Sequence, residues 1–296
     1  MSKQHNPKAW LYLLPALALL FVVGVVPLVT VFNYSFHELF LLDQKFWVGT
    51  EWYADLMASQ RFWAGVGRSL MFALIILAVE IPLGIAIALM MPKRGLWVPV
   101  CLVVFALPLL VPWNMIPMIW IGLLDTQTGI YGQALAALGI DFDRKFNAVH
   151  TWASLVAMDA WHWTSLVVIL CYSSLTTIPG AYYQAAAIDS ASRWQVFRHI
   201  ELPKMGGVLL MAILLRFMDS FMIYTEAFRF NGGGPNDWTM FAAVDLGQEI
   251  GSYSYGPSAA RSVVLFLFAL TVAWIFSTAL RARAEATTGA ARKGKA

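Results

Sequence analysis

Charge is what this 296-residue chain has least of. Asp, Glu, Lys and Arg together make up 12% of it, where a soluble domain carries about a quarter. Cysteine is nearly absent as well: there are only Cys101 and Cys171, each inside an apolar run. Two such thiols exclude a disulfide framework and a CxxC metal site, and they read as small packing residues. The chain has no G-x-x-x-x-G-K-[ST] phosphate loop, no G-x-S-x-G nucleophile elbow and no H-E-x-x-H zinc helix. An enzyme reading therefore has no residues to stand on. The net charge of +3 is small, and the cations sit at the ends of apolar runs rather than along one polar face. That is not the footprint of a nucleic-acid binder. No repeat of 20–50 residues is visible.

What is abundant is apolar residue, 59% of the chain. That fraction cannot be buried in one water-soluble core of this length, so the natural solvent is lipid. Six runs reach the roughly 20 residues needed to cross ~30 Å of hydrocarbon: residues 10–32, 66–91, 96–123, 151–175, 207–224 and 261–280. The first is too long for a signal-peptide core and is followed by no small-x-small cleavage site, so it reads as a retained span. With the N-terminus inside, twelve cations fall on the inner side: Lys3, Lys8, Lys93, Arg94, Arg193, Arg198, Lys204, Arg281, Arg283, Arg292, Lys293 and Lys295. Six fall outside: Lys45, Arg61, Arg144, Lys145, Arg229 and Arg261. The positive-inside rule then places both termini in the cytoplasm. The expected fold is an all-α membrane protein with six transmembrane helices in one domain over residues 1–296, and with a cytoplasmic loop, 176–206, between spans four and five.

The outer segments carry their own signals. Residues 33–65 hold Phe46, Trp47, Trp52, Tyr53, Phe62 and Trp63, which suit an interfacial helix with an aromatic belt or a docking surface for an external partner. Residues 131–138 form a short helix candidate. Asn231, Gly232, Gly233, Gly234 and Pro235 require a sharply turned backbone.

Three spans carry features that plain anchors lack. The third has Pro108, Pro112 and Pro117 around Asn114. Each proline removes a backbone donor, and helices broken within a membrane line cavities where protein or water satisfies the freed groups. The fourth has Asp159, Trp161, His162 and Trp163, and the fifth has Arg216 and Asp219, three apart on one helix face. A charge at mid-helix costs roughly 2.5–3.5 kcal/mol on insertion scales, so such groups pair or face water. Arg216 and Asp219 read either as a mutual ion pair or as path residues. Glu80, near Pro82, reads as a packing-interface hydrogen-bonder or a path residue. Asp159 and His162 read as a hydrogen-bonded pair lining a polar path, since two ligands without companions do not make a metal site. The tryptophans either stack on the apolar face of a sugar ring or face lipid and core. The candidate substrate path is thus Asn114, Asp159, Trp161, His162, Trp163 and Asp219. A polar-lined, proline-broken bundle points to transport, driven by an ion gradient or by an external motor docking inside.

The place for a motor to dock is residues 182–205. Gln184, Ala185, Ala186 and Ala187 are helix formers with small side chains. Asp189 and Ser190 interrupt, and Ser190 or Ser192 can cap a second helix. Phe197 and Ile200 put apolar groups on one face, and Leu202 with Pro203 is expected to end the element before the next span. Two short helices, or one bent one, serve either as a coupling lever or as an amphipathic element bordering lipid.

The run Gln184, Ala185, Ala186, Ala187, Ile188, Asp189, Ser190, Ala191, with Phe197, Ile200, Leu202 and Pro203, resembles the EAA loop of binding-protein-dependent ABC importer permeases. That loop reads Glu-Ala-Ala, two residues, Asp-Gly-Ala, then a spaced Ile-x-Leu-Pro. Tyr12 to Pro15, and Thr225-Glu226 followed by Gly232 to Pro235, are similar to the maltose-type, carbohydrate-uptake group. Two positions depart from the pattern: Gln184 stands where Glu is usual, which removes a negative charge from the expected contact, and Ser190 stands where Gly is usual, which stiffens the turn. The resemblance implies a permease of the bacterial cytoplasmic membrane, multi-pass, importing a sugar or a polyol such as glycerol. It implies as partners a second, homologous permease, two copies of an ATP-binding subunit that hold the ATP and magnesium, and an extracytoplasmic solute-binding protein; this chain itself would carry no cofactor. It also implies that Gln184, Ala185, Ala186, Asp189, Ser190, Ala191, Phe197, Ile200 and Pro203 couple to the ATPase, with Phe197 as the apolar anchor.

Overall fold

The computed structural model describes residues 12–41 and 44–293. Trp10 and Leu11, which open the expected first span, lie outside the described residues, as do Lys3, Lys8 and Lys295. Contacts divide the chain into two compact units, one of residues up to Trp63 with Leu246–Ala269, the other of Ala64–Asp245 with residues from Leu270 onward.

The first unit begins with α1 (Leu14–Tyr34). A π turn at Phe21–Val25 precedes Pro27, where the missing N–H would otherwise break the hydrogen-bond ladder. The apolar window of α1 buries nothing within this chain. The aromatic segment that follows departs from the expected interfacial helix. It opens as an antiparallel hairpin, β1 (His37–Leu41) with β2 (Gln44–Trp47), and only then forms α2 (Glu51–Ala58). Local aromatic contacts account for the hairpin: Trp47 stacks on Phe36 at 5.6 Å and meets His37 edge-on, while the Trp52 indole donates to the His37 carbonyl (3.1 Å). Phe46 and Trp47 remain exposed, as a belt requires.

The second unit is built from α3 (Gln60–Met90), α4 (Trp97–Leu110), α5 (Ile116–Leu123), α6 (Ile130–Ala137), α7 (Ala148–Thr176), α8 (Gly180–Ile188), α9 (Leu202–Phe221) and α10 (Thr225–Asn231). α11 (Ala242–Gly251) and α12 (Tyr255–Lys293) complete the chain. Among the described residues, five helices are long and apolar enough to cross a membrane. The pair α4 and α5 makes a sixth when counted as one span bent by 73°. The bend falls where the prolines place it. Val111 is extended because Pro112 follows, and α5 starts again with Pro117 in its first turn.

The fifth span corrects one expectation. Pro203 does not end the preceding element. The helix starts at Arg193, passes through a π turn at Phe197–Glu201 and continues into α9. In that turn the Leu202 N–H reaches back five residues to the Phe197 carbonyl. Pro203 then lies in the first turn of α9, where its missing donor matters least.

α7 is the axis of this unit. Asn147 caps it by accepting from the N–H groups of Val149 (3.0 Å) and His150 (3.2 Å), and it packs on α4 and α9. Two apolar cores lie at different levels along it. One gathers Phe72, Ile76, Leu155, Met158 and Ile223, and the other Ala88, Val167, Cys171, Met205 and Leu209. Near the second core α3 and α7 touch closely: a Cβ on Gly84 would lie 2.5 Å from the Val167 side chain.

Candidate functional site

Between the two cores, at mid-span, the helices bring charged side chains together. Arg216 of α9 is 1% exposed. Its Nε and Nη2 donate to the two carboxylate oxygens of Glu80 on α3 (2.7 and 3.1 Å), Nη2 also reaches Asp159 on α7, and Nη1 reaches Asp219 one turn along. The guanidinium lies 4.7 Å from the centre of the Trp163 ring. The expected Arg216–Asp219 pair is present as one limb of a cluster that ties three spans. The expected Asp159–His162 hydrogen bond is not formed, because the Asp159 carboxylate turns to Arg216. The His162 ring meets Trp163 edge-on at 4.8 Å instead, and its Nδ1 is buried without a partner.

The remaining path candidates separate by exposure. Asn114 is exposed within the turn Trp113–Met115 at the break of span three. Trp161 is exposed and meets Trp120 edge-on, while Trp163 is half-buried and meets Trp113 edge-on. Asp219 keeps 26% of its side chain open and is the cluster's one carboxylate with an accessible face, since Glu80 and Asp159 are buried. Two further residues belong to this neighbourhood: the Trp113 indole donates to the buried Glu226 carboxylate of α10, whose second oxygen has no partner. Trp113 adjoins Asn114, and Glu226 stands in the Thr225-Glu226 signature, so both lay beside positions already singled out. After α10 the chain reverses through Gly232, Gly233 and Gly234 at φ 63°, 99° and 71°, a path open to glycine.

The segment between spans four and five forms two helices, as one of the expected alternatives has it. α8 ends in a Schellman turn: Ala191 N–H bonds to the Ala186 carbonyl (2.9 Å) and Ser190 N–H to that of Ala187 (3.2 Å), with Ser190 left-handed at φ 52°. Ser192 then caps the second helix in a capping box with Gln195. Gln184, Ala185, Asp189 and Ser190 are exposed, Ala186 is buried, and Ala191 and Ile200 are half-buried. Tyr182, Ala185, Ala186, Asp189, Ala191 and Ile200 share the lining of one shallow groove.

Two contacts join this segment to Glu201, and a third joins it to the inner end of the second span. Glu201 is fully buried; it accepts from the Tyr183 hydroxyl (3.2 Å) and from Arg193 Nη1 (2.6 Å). Lys93 lies over the Tyr183 ring at 4.2 Å. Burial, together with the Glu201 carboxylate, raises the Tyr183 phenol above its ordinary pKa. Neither Tyr183 nor Glu201 stood out in the sequence, because Glu201 occupies the unspecified place in Ile-x-Leu-Pro. Phe197 is half-buried in this chain. It packs toward the apolar core of α3 and α7 and meets the Trp194 ring at a tilt, 5.4 Å between centres, while Ile188, 84% exposed, is the large apolar group standing out from α8.

Comparison with known proteins places this geometry. The trehalose/maltose transport system permease protein MalF of Thermococcus litoralis is 25% identical over 90% of this chain and 91% of its own length. The diacetylchitobiose uptake system permease protein DasB of Streptomyces coelicolor is 27% identical over 90% of this chain and 85% of its own. Among solved structures, a chain of a bacterial ABC transporter involved in import of the acidic polysaccharide alginate superposes with a TM-score of 0.80, at 17% identity, over 94% of this chain and 97% of that one. That likeness shows a shared fold. The family model described as binding-protein-dependent transport system inner membrane component matches residues 80–285, more than half of the chain. The broken third span, the midplane ion cluster and the clasped loop all fall within that match, and the chain belongs to this family of inner membrane transport components.

Proposed function

We propose that this chain is a permease subunit of an ATP-driven sugar importer. It acts as a single transmembrane domain with both termini in the cytoplasm and forms half of a path completed by a second, homologous permease. Two copies of an ATP-binding subunit, carrying ATP and magnesium, grip the segment 176–206 and its counterpart in the second permease, and an extracytoplasmic binding protein delivers the solute. The observation that carries the reading is the two-sidedness of that segment. Gln184, Ala185, Asp189 and Ile188 present an open face, while Tyr183 and Arg193 lock the other side to Glu201 at the head of the fifth span. A force applied to the open face therefore passes into the helix that carries Arg216 and Asp219.

The substrate follows from the relatives, whose names give trehalose or maltose, diacetylchitobiose and sulfoquinovosyl glycerol. A sugar is the supported class, and a polyol such as glycerol is the looser alternative. Trp161 and Trp163 offer aromatic faces for a sugar ring, Asn114 and Asp219 offer polar atoms for its hydroxyls, and Asp159 and His162 support them from behind.

The test is reconstitution of the complete complex in vesicles with a panel of sugars and polyols. Uptake should require ATP and should stop when the phosphate-loop lysine of the ATPase is replaced. Uptake that persists in that variant under an ion gradient would overturn the reading. Single replacement of Asp219 or Trp161 should lower substrate-stimulated hydrolysis while basal hydrolysis persists.

A further inference from the structure

The inner end of the second span carries a groove that the transport reading does not use. Ile81, Ile85 and Leu89, at helical spacing, form its floor on α3, and Phe197 closes one side. Its volume is about 570 Å³. The mouth differs in chemistry: Arg193 and Trp194 stand there, both exposed. Arg193 spends Nη1 on Glu201 yet keeps 58% of its side chain open, and a guanidinium has five N–H donors. Arg198, one turn on from Trp194 and next to Phe197, is exposed just beyond the groove's lining.

We infer that this groove binds an anionic phospholipid, with an acyl chain along Ile81, Ile85 and Leu89 and the phosphate at Arg193 and Arg198. The floor residues are half-buried at the edge of the second core, and Pro82 and Ala86 beside them are exposed on a membrane-crossing helix. Its charged mouth lies where α3 gives way to Lys93 and Arg94, which is headgroup depth. A tryptophan is the aromatic residue favoured at that depth, and clustered arginines there select anionic over zwitterionic lipid. The pattern of an apolar channel with cations only at its mouth matches a lipid from tail to headgroup. A helix of another protein would not need the cations. The lipid would touch Phe197 and Arg193, the two residues by which the coupling segment meets α3 and Glu201, so membrane composition would act on coupling. The inference rests on the chain crossing a membrane and not on what it transports.

The test uses the complete complex, purified in detergent with equimolar phosphatidylglycerol and phosphatidylcholine, and counts retained lipids by native mass spectrometry. Wild type should retain phosphatidylglycerol in preference. Arg198→Gln, which leaves the Arg193–Glu201 contact intact, should lower that preference about fivefold. Ala86→Trp, which fills the groove and spares both arginines, should remove the retained lipid. Equal retention of the two lipids by wild type, or a preference unchanged in both variants, would overturn the proposal. So would a photo-crosslinker at position 86 that captures a protein subunit instead of lipid. Loss of sugar uptake with the lipid preference intact would count against the transport reading alone.

Discussion

Arginine meets carboxylate at two places in the second unit, and the arrangements are opposites. At mid-span Arg216 is 1% exposed and faces three carboxylates, two of them buried. At the coupling end Arg193 is 58% exposed and faces one carboxylate, Glu201, which is buried. In the first the cation is the keystone: it alone bonds Glu80, Asp159 and Asp219 together between two apolar cores, and of the three only Asp219 keeps an open side. In the second the carboxylate is the keystone, and Arg193 can swing away while Tyr183 still holds Glu201. On the proposed coupling, the mid-span cluster serves as a fixed tie between three helices and the inner clasp as the joint that is strained and remade. That is the order a lever needs, stiff where it enters the bundle and compliant where it is pushed.

The harshest way to break the comparison is Arg216→Met. It strands three carboxylates from three helices, two of them out of reach of water. Removing one partner of a buried ion pair typically costs about 3–5 kcal/mol, so this variant should fail to accumulate as an assembled complex in size-exclusion profiles. Arg216→Lys should rescue little, because an ammonium cannot reproduce the two parallel bonds to Glu80. A stable, transporting Arg216→Met complex would show that the cluster is not a tie.

At the other end Arg193→Leu leaves Glu201 with Tyr183 alone. A buried acceptor deprived of one partner costs about 1–3 kcal/mol, so the complex should assemble but melt lower. Coupling should suffer more than stability: hydrolysis by the ATPase should persist while uptake per ATP falls. Tyr183→Phe added to it should deepen the loss. If instead Arg193→Leu proves as damaging to assembly as Arg216→Met, the distinction between tie and joint fails.

How much of this was legible depends on the range of the interaction. Spans, the break at Pro112, the Ser192 cap and the Arg216–Asp219 limb are local and could be read from spacing within a few residues. The meeting of Glu80 and Asp159 with Arg216 was not, since 136 and 57 residues separate them and helix rotation and packing decide which faces meet. The β1–β2 hairpin was hidden by an aromatic content that suits helix and strand alike. Pro203 misled because a π turn placed it at a helix start.

Milder tests sharpen the joint without breaking it. Ser190 sits at the C′ position of the Schellman turn with φ 52°, which costs an L-residue roughly 1–2 kcal/mol, partly offset by the entropy a glycine would lose, about 0.5–1 kcal/mol. Ser190→Gly should therefore raise the melting point slightly, by the equivalent of about 0.5 kcal/mol. A lower melting point would mean that the hydroxyl makes a contact in the assembled complex.

The smallest effect is expected at Gln184. Its side chain is exposed, so Gln184→Glu should leave the isolated chain's stability within about 0.5 kcal/mol. The loop pattern that this segment resembles has Glu here, and an exposed ion pair with a partner contributes only about 0.2–1 kcal/mol. If the partner ATPase offers a cation, Gln184→Glu should tighten assembly up to about fivefold, and the gain should vanish at high salt as exposed pairs are screened. If its surface has become neutral to match Gln184, affinity should stay unchanged at every salt concentration. Either result keeps Gln184 at the interface. A Gln184→Trp variant that assembles and couples like wild type would remove it from there, and with it the open face on which the lever is pushed.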